Sequence, residues 1–218
     1  MLETGLRQLF ADTAIILLAA GRSSRFSGGD KLMAPYKGKP LIERSAQLLK
    51  DERVAARIAI VGVQQQVRAN ALRALGWNVS ICDVSVPGMA ASLAEGIRLA
   101  EACHARAALI VLADMPEVSD RHLVSLRKAL TPGLPAVCSR NGDTLMPPAI
   151  FSDKVFHRIM ELRGDQGARS LLDALPRTAT VDIAFHEAVD IDTVADLEVA
   201  AALLAMATIV PMSSRNRE

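Results

Sequence analysis

The sequence predicts an α/β fold with a mostly parallel central sheet. Short apolar runs recur in the first half of the chain, at residues 14 to 19, 58 to 63, 78 to 82 and 108 to 113. The gaps between these runs carry apolar residues at the spacing of amphipathic helices. The first run is apolar throughout, as expected of a central strand that is covered on both faces. Strands and helices that alternate in this way are typical of βαβ units in a parallel sheet.

Two of the intervening helices are supported by the spacing of their apolar residues. Proline is favoured at the first position of a helix, and Pro40 therefore predicts a helix start. The residues available for the inner face of this helix are Leu41, Ala46, Leu48 and Leu49. The helix after the third strand would bury Met89, Leu93, Ile97 and Ala100.

The second half of the chain has a less regular pattern, which begins with a Pro- and Gly-rich break at residues 131 to 135. Beyond this break we expect a strand at residues 136 to 138, a strand at 149 to 151 that pairs with another strand, helical segments at 153 to 162 and 167 to 174, a strand at 181 to 185 and a final helix at 193 to 207. The chain would form one domain over residues 14 to 207, with an N-terminal extension over residues 1 to 13 and a flexible tail over residues 208 to 218.

The composition argues against several classes of protein. A net charge of +1 and only 3% aromatic residues give no sign of a nucleic-acid partner. The three cysteines have neither zinc-ligand spacing nor the even number of a disulfide framework. The longest apolar stretch, residues 199 to 210, is shorter than the roughly 20 residues of a membrane-spanning helix. The first residues lack the features of a secretory signal. We therefore expect a cytoplasmic protein with no nucleic-acid or membrane partner.

A long loop rich in Gly, Ser, Arg and Lys follows the first predicted strand. Open α/β sheets bind ligands beyond the carboxyl ends of their strands, which is where this loop begins. Its glycines would let backbone amides approach an anion, and its cations would neutralise one. The residues concerned are Gly21, Arg22, Ser23, Ser24, Arg25, Gly28, Gly29 and Lys31. The loop is therefore predicted to bind a triphosphate.

The loop matches neither of two common nucleotide-binding motifs. No Gly-Lys-Ser/Thr follows the glycines, so it is not a Walker A loop, and it does not contain GxGxxG. Kinases and dinucleotide oxidoreductases are therefore disfavoured. A solvated, flexible loop without a ligand is the alternative that composition alone leaves open.

Two acidic segments would lie at the same edge of the sheet as this loop. Asp114 directly follows the strand at residues 108 to 113, and Asp190 and Asp192 precede the final helix. Mg²⁺ prefers one or two carboxylates together with phosphate oxygens and water, so these acids are candidate metal ligands. The alternative is local in both cases: Asp114 would cap a turn, and Asp192 would cap the final helix.

Two further segments are weaker candidates. Small residues around Gly88, Met89 and Ser92 at the start of a helix would let a base or a phosphate approach. The segment at residues 163 to 169 is polar and glycine-rich, and its alternative is an ordinary interhelical loop.

Several motifs, taken together and in their order along the chain, resemble the molybdenum cofactor nucleotidyltransferase family, and most closely its cytidylyltransferase branch. They are LAAGRSSRF with Lys31, GMAASL, LADMP, the segment from Pro148 to Phe151, GDQGAR and DIDT, and they span about residues 14 to 204. The resemblance implies a single Rossmann-like, three-layer α/β domain of the nucleotide-diphospho-sugar transferase type. It also implies transfer of CMP from CTP to a phosphorylated acceptor, molybdopterin, with Mg²⁺ or Mn²⁺ as cofactor and pyrophosphate as the second product.

The resemblance implies a role for each matching residue. The catalytic residues would be Arg25, Lys31 and Asp114. The nucleotide would contact Leu18, Ala19, Ala20, Gly21, Arg22, Ser23, Ser24, Arg25, Lys31, Gly88, Met89 and Ser92. The metal would be held by Asp114 with Asp192, which we prefer over Asp190. The acceptor would face Pro148, Gly164, Asp165 and Arg169.

The sequence departs from the family pattern in ways that bear on the base. Arg25 is followed by Phe26 and Ser27 where the family has Met and Gly, and the spacing from Arg25 to Lys31 is closer to that of the guanylyltransferase branch. Ala20 and the DIDT segment at residues 190 to 193 favour cytidine instead.

Two other functions stay open. One is a transferase of the same fold that acts on a sugar phosphate or on methylerythritol phosphate. The other is a maturation factor that carries a nucleotide or pterin cofactor without turning it over. In the molybdenum-cofactor interpretation the partners are small-molecule substrates and a molybdenum enzyme that receives the product.

Overall fold

The computed structural model describes residues 8–83, 89–162 and 179–209. The strands of its central sheet are β1 (Thr13–Leu18), β4 (Ala56–Gly62), β5 (Asn78–Cys82), β6 (Ala107–Leu112), β7 (Ala136–Asn141), β8 (Thr144–Ser152) and β9 (Ala179–Asp182), and a separate hairpin consists of β2 (Pro35–Tyr36) and β3 (Lys39–Pro40). The order in the seven-stranded sheet is β5-β4-β1-β6-β8-β7-β9. β8 runs antiparallel to β6 and β7, and the other pairings described in this sheet are parallel.

Helices cover both faces of the sheet. They are α1 (Leu41–Ala46), α2 (Gln66–Ala74), α3 (Ala90–Ala102), α4 (Asp120–Ala129), α5 (Phe156–Met160) and α6 (Val194–Ile209). Side chains alternate between the faces along a strand, so Ile15 of β1 packs in one apolar cluster and Ile16 in the other. The first cluster includes Leu72 of α2, and the second includes Leu93 of α3. The predicted α/β architecture, with a mostly parallel sheet between helical layers, is therefore confirmed.

One glycine sets how closely a helix approaches the sheet. A Cβ atom added at Gly96 of α3 would lie 2.6 Å from Cγ2 of Ile16, which is closer than side chains pack. The absence of a side chain at residue 96 therefore allows α3 to lie directly on β1, the strand that leads into the long loop.

The order of elements in the first half of the chain agrees with the prediction, although one helix is shorter than expected. α1 ends at Ala46, yet Leu48 and Leu49 are still buried, in a turn where Leu49 has a φ of 52°. The apolar spacing thus identified the buried residues correctly but not the end of the helix.

In the second half of the chain, the strands and helices differ from the predicted ones in their lengths and in their pairing. β8 extends well beyond the expected residues 149 to 151, because it pairs with both β6 and β7. β9 ends at Asp182 rather than at residue 185, and α6 continues to Ile209. Phe10 of the expected N-terminal extension is fully buried in the core. The expected helical segment at residues 167 to 174 lies outside the described residues.

Among the helices described, none is both long and apolar enough to cross a membrane.

Candidate active site

The candidate site lies beyond the carboxyl ends of β1 and β6, which are neighbours at the centre of the sheet. β1 leads into the loop at residues 19–30, and β6 ends two residues before Asp114. The two strands are parallel with Leu18 opposite Leu112, so the loop and Asp114 emerge at the same edge. The sequence predicted this placement.

Lys31 connects the two acidic segments. Its Nζ atom lies 2.7 Å from Oδ2 of Asp114 and 2.9 Å from Oδ1 of Asp192, and its side chain is only 7% exposed. Burial acts to lower the pKa of Lys31, but the charges and hydrogen bonds of the two aspartates together outweigh it and raise that pKa above its usual value. The ammonium group is therefore held in its charged form between two carboxylates.

Main-chain contacts hold the second acidic segment in place. The amide of Ile191 donates to the carbonyl of Asp114 at 2.9 Å. At the start of α6, Asp196 accepts from the amide of Thr193 at 2.6 Å, and Thr193 Oγ1 accepts from the amide of Asp196 at 3.3 Å. This reciprocal pair is a capping box. Since Thr193 and Asp196 cap the helix, the side chain of Asp192 is directed to Lys31 instead.

Arg25 also reaches Asp192. Its NH1 atom lies 2.8 Å from Oδ2 of Asp192, although the side chain of Arg25 is 75% exposed. Asp190 lies near Asp114 and Asp192. Burial raises the pKa of Asp190, and the charges of these two aspartates raise it further. The hydrogen bond to Lys31 is made by Asp192, so Asp192 is the member of the pair that meets the loop directly.

One oxygen of Asp114 fits a cation. Oδ1 is buried and has no hydrogen-bond partner among the described residues. Burial of a carboxylate oxygen without a hydrogen-bond partner costs free energy, and coordination of a divalent cation by that oxygen would offset the cost. No group of three or more His, Cys, Asp or Glu side chains in the described ranges forms a metal site by itself. Mg²⁺ needs only one or two carboxylates when phosphate oxygens complete its coordination.

The loop is anchored at several points rather than lying wholly in solvent. Phe26 is 7% exposed and belongs to the same apolar cluster as Leu32. Ser23 adopts a φ of 53°, and its hydroxyl accepts from the amide of Lys31 at 3.2 Å. Asp30 accepts from the amide of Leu32 at 3.0 Å and so caps the short helical turn that carries Lys31.

Two residues of the segment after β4 hold the loop and were missed by the sequence analysis. Gln65 donates to the carbonyls of Ala20 and Gly21, and Arg68 of α2 is 2% exposed and also donates to the loop. The sequence did contain a signal for Arg68. It lies four residues before Leu72, so this arginine is on the inner, buried face of α2.

Two further missed residues support the turn that contains Asp114. Ser45 of α1 is buried, and its hydroxyl lies 3.2 Å from the carbonyl of Ala113. Glu117 is buried and accepts from Tyr36 Oη at 2.8 Å and from Lys37 Nζ at 2.6 Å. Burial raises the pKa of Tyr36, and the carboxylate of Glu117 adds to this effect. The sequence showed no pattern that would have joined these distant residues.

An open cleft of about 760 Å³ runs beside the loop, along the carboxyl ends of β4 and β5. Its lining includes Arg22, Ser23, Gly62, Gln65 and Asp83. Asp114 and Asp192 are not among the residues that line this cleft.

The remaining predicted site residues have mixed positions. Ala19 and Ala20, the first residues of the loop, are buried. Met89 was expected on the buried face of α3 but is 39% exposed, because it precedes the first residue of the helix, whereas Ser92 is buried. Pro148 lies in β8, and its carbonyl accepts from Ser139 Oγ of β7 at 2.6 Å. The predicted residues that lie outside the described ranges are Gly88, Gly164, Asp165 and Arg169.

Known proteins resemble this chain in sequence and in fold. The model of the MobA-like NTP transferase domain family matches residues 15–180. The purine catabolism protein PucB of Bacillus subtilis is 34% identical over 168 residues, which cover 72% of this chain and 78% of PucB. A molybdenum cofactor guanylyltransferase of Pseudomonas putida is 31% identical over 170 residues, which cover 76% of this chain and 83% of that enzyme.

Among solved structures, the manganese complex of Rv0371c from Mycobacterium tuberculosis is similar to this chain. Its TM-score is 0.65 at 24% identity, and the match covers 86% of this chain and 97% of the other. At this level of identity the likeness shows the fold alone.

Proposed function

Since this chain belongs to the MobA-like NTP transferase domain family and is a nucleotidyltransferase of that type, we propose that it transfers CMP from CTP to molybdopterin and releases pyrophosphate. The observation that carries this proposal is the position of Lys31. Its ammonium group is buried between Asp114 and Asp192 at the end of a glycine-rich loop, where a triphosphate and a divalent cation would meet the same residues.

In the proposed reaction a phosphate oxygen of the acceptor attacks the α-phosphorus of the nucleotide. A bond forms between that oxygen and the α-phosphorus, and the bond from the α-phosphorus to the bridging oxygen of the β-phosphate breaks. Pyrophosphate leaves with the electron pair. The attacking phosphate is already ionised at neutral pH, so no general base is required. Since both reactants are anionic, positioning and neutralisation of charge supply most of the acceleration.

Arg25 and Lys31 are the proposed phosphate-binding cations. Both already contact Asp192, so a bound triphosphate would share them with this carboxylate. Backbone amides around Gly21 would add donors for the phosphate oxygens.

Asp114 and Asp192 are the proposed metal ligands, with Asp190 as the nearby alternative to Asp192. A divalent cation would supply charge neutralisation at the phosphates. The unpartnered Oδ1 of Asp114 supports this assignment, and so does the manganese bound by Rv0371c, a protein of the same fold.

Two sets of observations favour different bases for the nucleotide. Ala20 and the acidic segment at residues 190 to 193 favour cytidine by resemblance. The relative from Pseudomonas putida is a guanylyltransferase, which favours GTP. We therefore keep GTP as a second candidate for the same reaction, and a molybdenum enzyme is the proposed recipient of either product.

A direct test measures pyrophosphate after incubation with Mg²⁺, each of the four nucleoside triphosphates and a set of acceptors. The set contains molybdopterin, a sugar 1-phosphate and methylerythritol phosphate. We expect release with molybdopterin, and with CTP in preference to GTP. Release with a different acceptor would identify another transferase of the same fold. Thermal stabilisation by a nucleotide without pyrophosphate under any condition would favour a non-catalytic carrier of nucleotide or cofactor.

A further inference from the structure

Arg68 is a buried arginine whose whole guanidinium group is directed at the phosphate-binding loop. It lies on α2, which follows a different strand from the one that leads into the loop. NH1 donates to the carbonyl of Ala19 at 2.6 Å and to that of Gly21 at 2.8 Å. NH2 donates to Ser23 Oγ at 3.0 Å. These contacts hold the first part of the loop.

The same guanidinium group also holds the end of the loop. Nε lies 2.8 Å from Oδ2 of Asp30, and NH2 lies 2.7 Å from Oδ1. An arginine has five N–H donors in a planar fork. In Arg68 these donors are divided among two carbonyls, one hydroxyl and one carboxylate, so the two ends of the loop are joined through a single side chain.

The partners of Arg68 are the groups that place Lys31. Ser23 Oγ accepts from the amide of Lys31, and Asp30 caps the turn in which Lys31 lies. The carbonyls of Ala19 and Gly21 flank the turn whose amides would face a phosphate. Displacement of the guanidinium group would therefore alter both the direction of these amides and the position of the Lys31 ammonium.

We propose that Arg68 is a positioning residue for nucleotide binding, which holds the loop at residues 19–30, and with it Lys31, in its binding shape before the triphosphate arrives. This inference rests on the proposed function. Arg68 does not itself have to touch the nucleotide, because its donors are already engaged by the loop. Binding is favoured because the loop does not have to be ordered when the ligand binds.

The test compares two conservative substitutions. Arg68→Lys keeps the charge but replaces the fork with a single ammonium group, which cannot serve all four partners. Arg57→Lys is the matched control, because Arg57 also donates to two carbonyls, those of Leu48 and Leu49, away from the loop. For Arg68→Lys we expect the KM for the nucleotide to rise and kcat/KM to fall by up to about a hundredfold, a loss that a misplacement of about 1 Å can cause. Arg57→Lys should leave the KM unchanged.

A second measurement separates positioning from general stability. Amide hydrogen exchange of residues 19–31, without nucleotide, should be faster in Arg68→Lys than in the unaltered protein and unchanged in Arg57→Lys. In Arg68→Ala, added guanidinium at millimolar concentration should restore part of the affinity for the nucleotide, if that variant folds. Neither effect is expected of a residue that only stabilises the domain.

Failure of the positioning role and failure of the proposed reaction would give different results. An unchanged KM together with unchanged exchange in Arg68→Lys would overturn the positioning role. If the unaltered protein releases no pyrophosphate with any nucleotide, the proposed reaction fails. In that case, exchange and the thermal shift caused by CTP or GTP in Arg68→Lys still decide whether Arg68 shapes the loop.

Discussion

At the scale of single residues, Lys31, Asp114 and Asp192 act as one charged unit. One ammonium group serves two carboxylates, so loss of Lys31 removes the ion pair that Asp114 makes, whereas Asp192 keeps its contact with Arg25. Loss of a partner from a buried ion pair is strongly unfavourable. Functional tests on this unit therefore need a check of folding beside each rate.

Asp114→Ala is expected to abolish metal-dependent release of pyrophosphate while the chain stays folded. The reason is that this substitution removes the buried oxygen that we assign to the metal. Pyrophosphate release and a far-UV circular dichroism spectrum would be recorded for the variant and for Asp182→Ala, an acidic control paired with Arg140. Full activity of Asp114→Ala would remove Asp114 from the mechanism.

Lys31→Ala should lower kcat by about 10²- to 10³-fold, as the loss of one preorganised electrostatic donor does in other enzymes. Steady-state kinetics of pyrophosphate release would measure this loss, with the exposed Lys154→Ala as the control for removal of a lysine. Equal kinetics in the two variants would contradict a phosphate role for Lys31.

At the scale of elements, the close contact between α3 and β1 depends on residue 96. Gly96→Ala would add a methyl group 2.6 Å from Cγ2 of Ile16. Overpacking of a core typically costs about 1–3 kcal/mol, whereas alanine gains about 1 kcal/mol over glycine in a helix. We expect overpacking to prevail, so the free energy of unfolding measured in urea should fall, and Gly96→Ser should lower it further. An increase for Gly96→Ala would show that α3 moves away from β1 at little cost.

A buried histidine joins α4 to β7, and we expect it to make the free energy of unfolding depend on pH. Ser139 Oγ donates to the carbonyl of Pro148, so Nε2 of His122 must donate to Ser139 Oγ, at 2.7 Å. Burial lowers the pKa of His122, and the charge of Glu187 only partly offsets this effect. The unfolded chain therefore binds a proton more readily than the folded one. The resulting stability is present above the unfolded pKa of about 6.5 and is lost as the pH falls towards the lower folded pKa.

Replacing this histidine should weaken the pH dependence. Urea unfolding of His122→Gln between pH 7 and pH 5 should show a smaller loss of free energy than the unaltered protein shows. The exposed His157→Gln would be the comparison. Equal slopes for all three proteins would mean that another group governs acid sensitivity.

The sequence predicted those elements whose signals are local. The apolar run of β1 and its glycine-rich continuation lie within a few residues of each other, and both were identified correctly. The strand β8 was underestimated, because its polar and proline-rich first part is held by pairing with β7 rather than by its own apolar pattern. Element ends that depend on tertiary pairing could not be located from local spacing.

At the scale of the whole molecule, sheet topology brings together residues that are far apart in the chain. Parallel strands placed Asp114 beside the loop, and this could be predicted because the carboxyl ends of such strands share one edge. The contact of Arg68 with Asp30 joins residues 38 positions apart through the packing of α2 beside the loop. Nothing in either segment alone indicated that pairing.

Binding of a metal–nucleotide complex should stabilise the whole domain. The triphosphate would contact residues from the loop, the β6 turn and the segment before α6, so it favours the folded state by mass action. We expect the Tm to rise by several degrees with saturating Mg²⁺ and CTP, because a ligand at 100 times its Kd contributes about 2.7 kcal/mol. Chelation of the metal with EDTA should remove most of the shift. A shift of equal size in EDTA would indicate that the metal does not contribute to binding.

The hydrogen bond from the amide of Ile191 to the carbonyl of Asp114 bears on how this scaffold could be redesigned. The two acid-bearing segments are joined there by main-chain atoms, which substitutions of Asp114, Asp190 and Asp192 retain. An engineer could exchange either aspartate for histidine or glutamate and alter the choice of metal without resetting the distance between the segments.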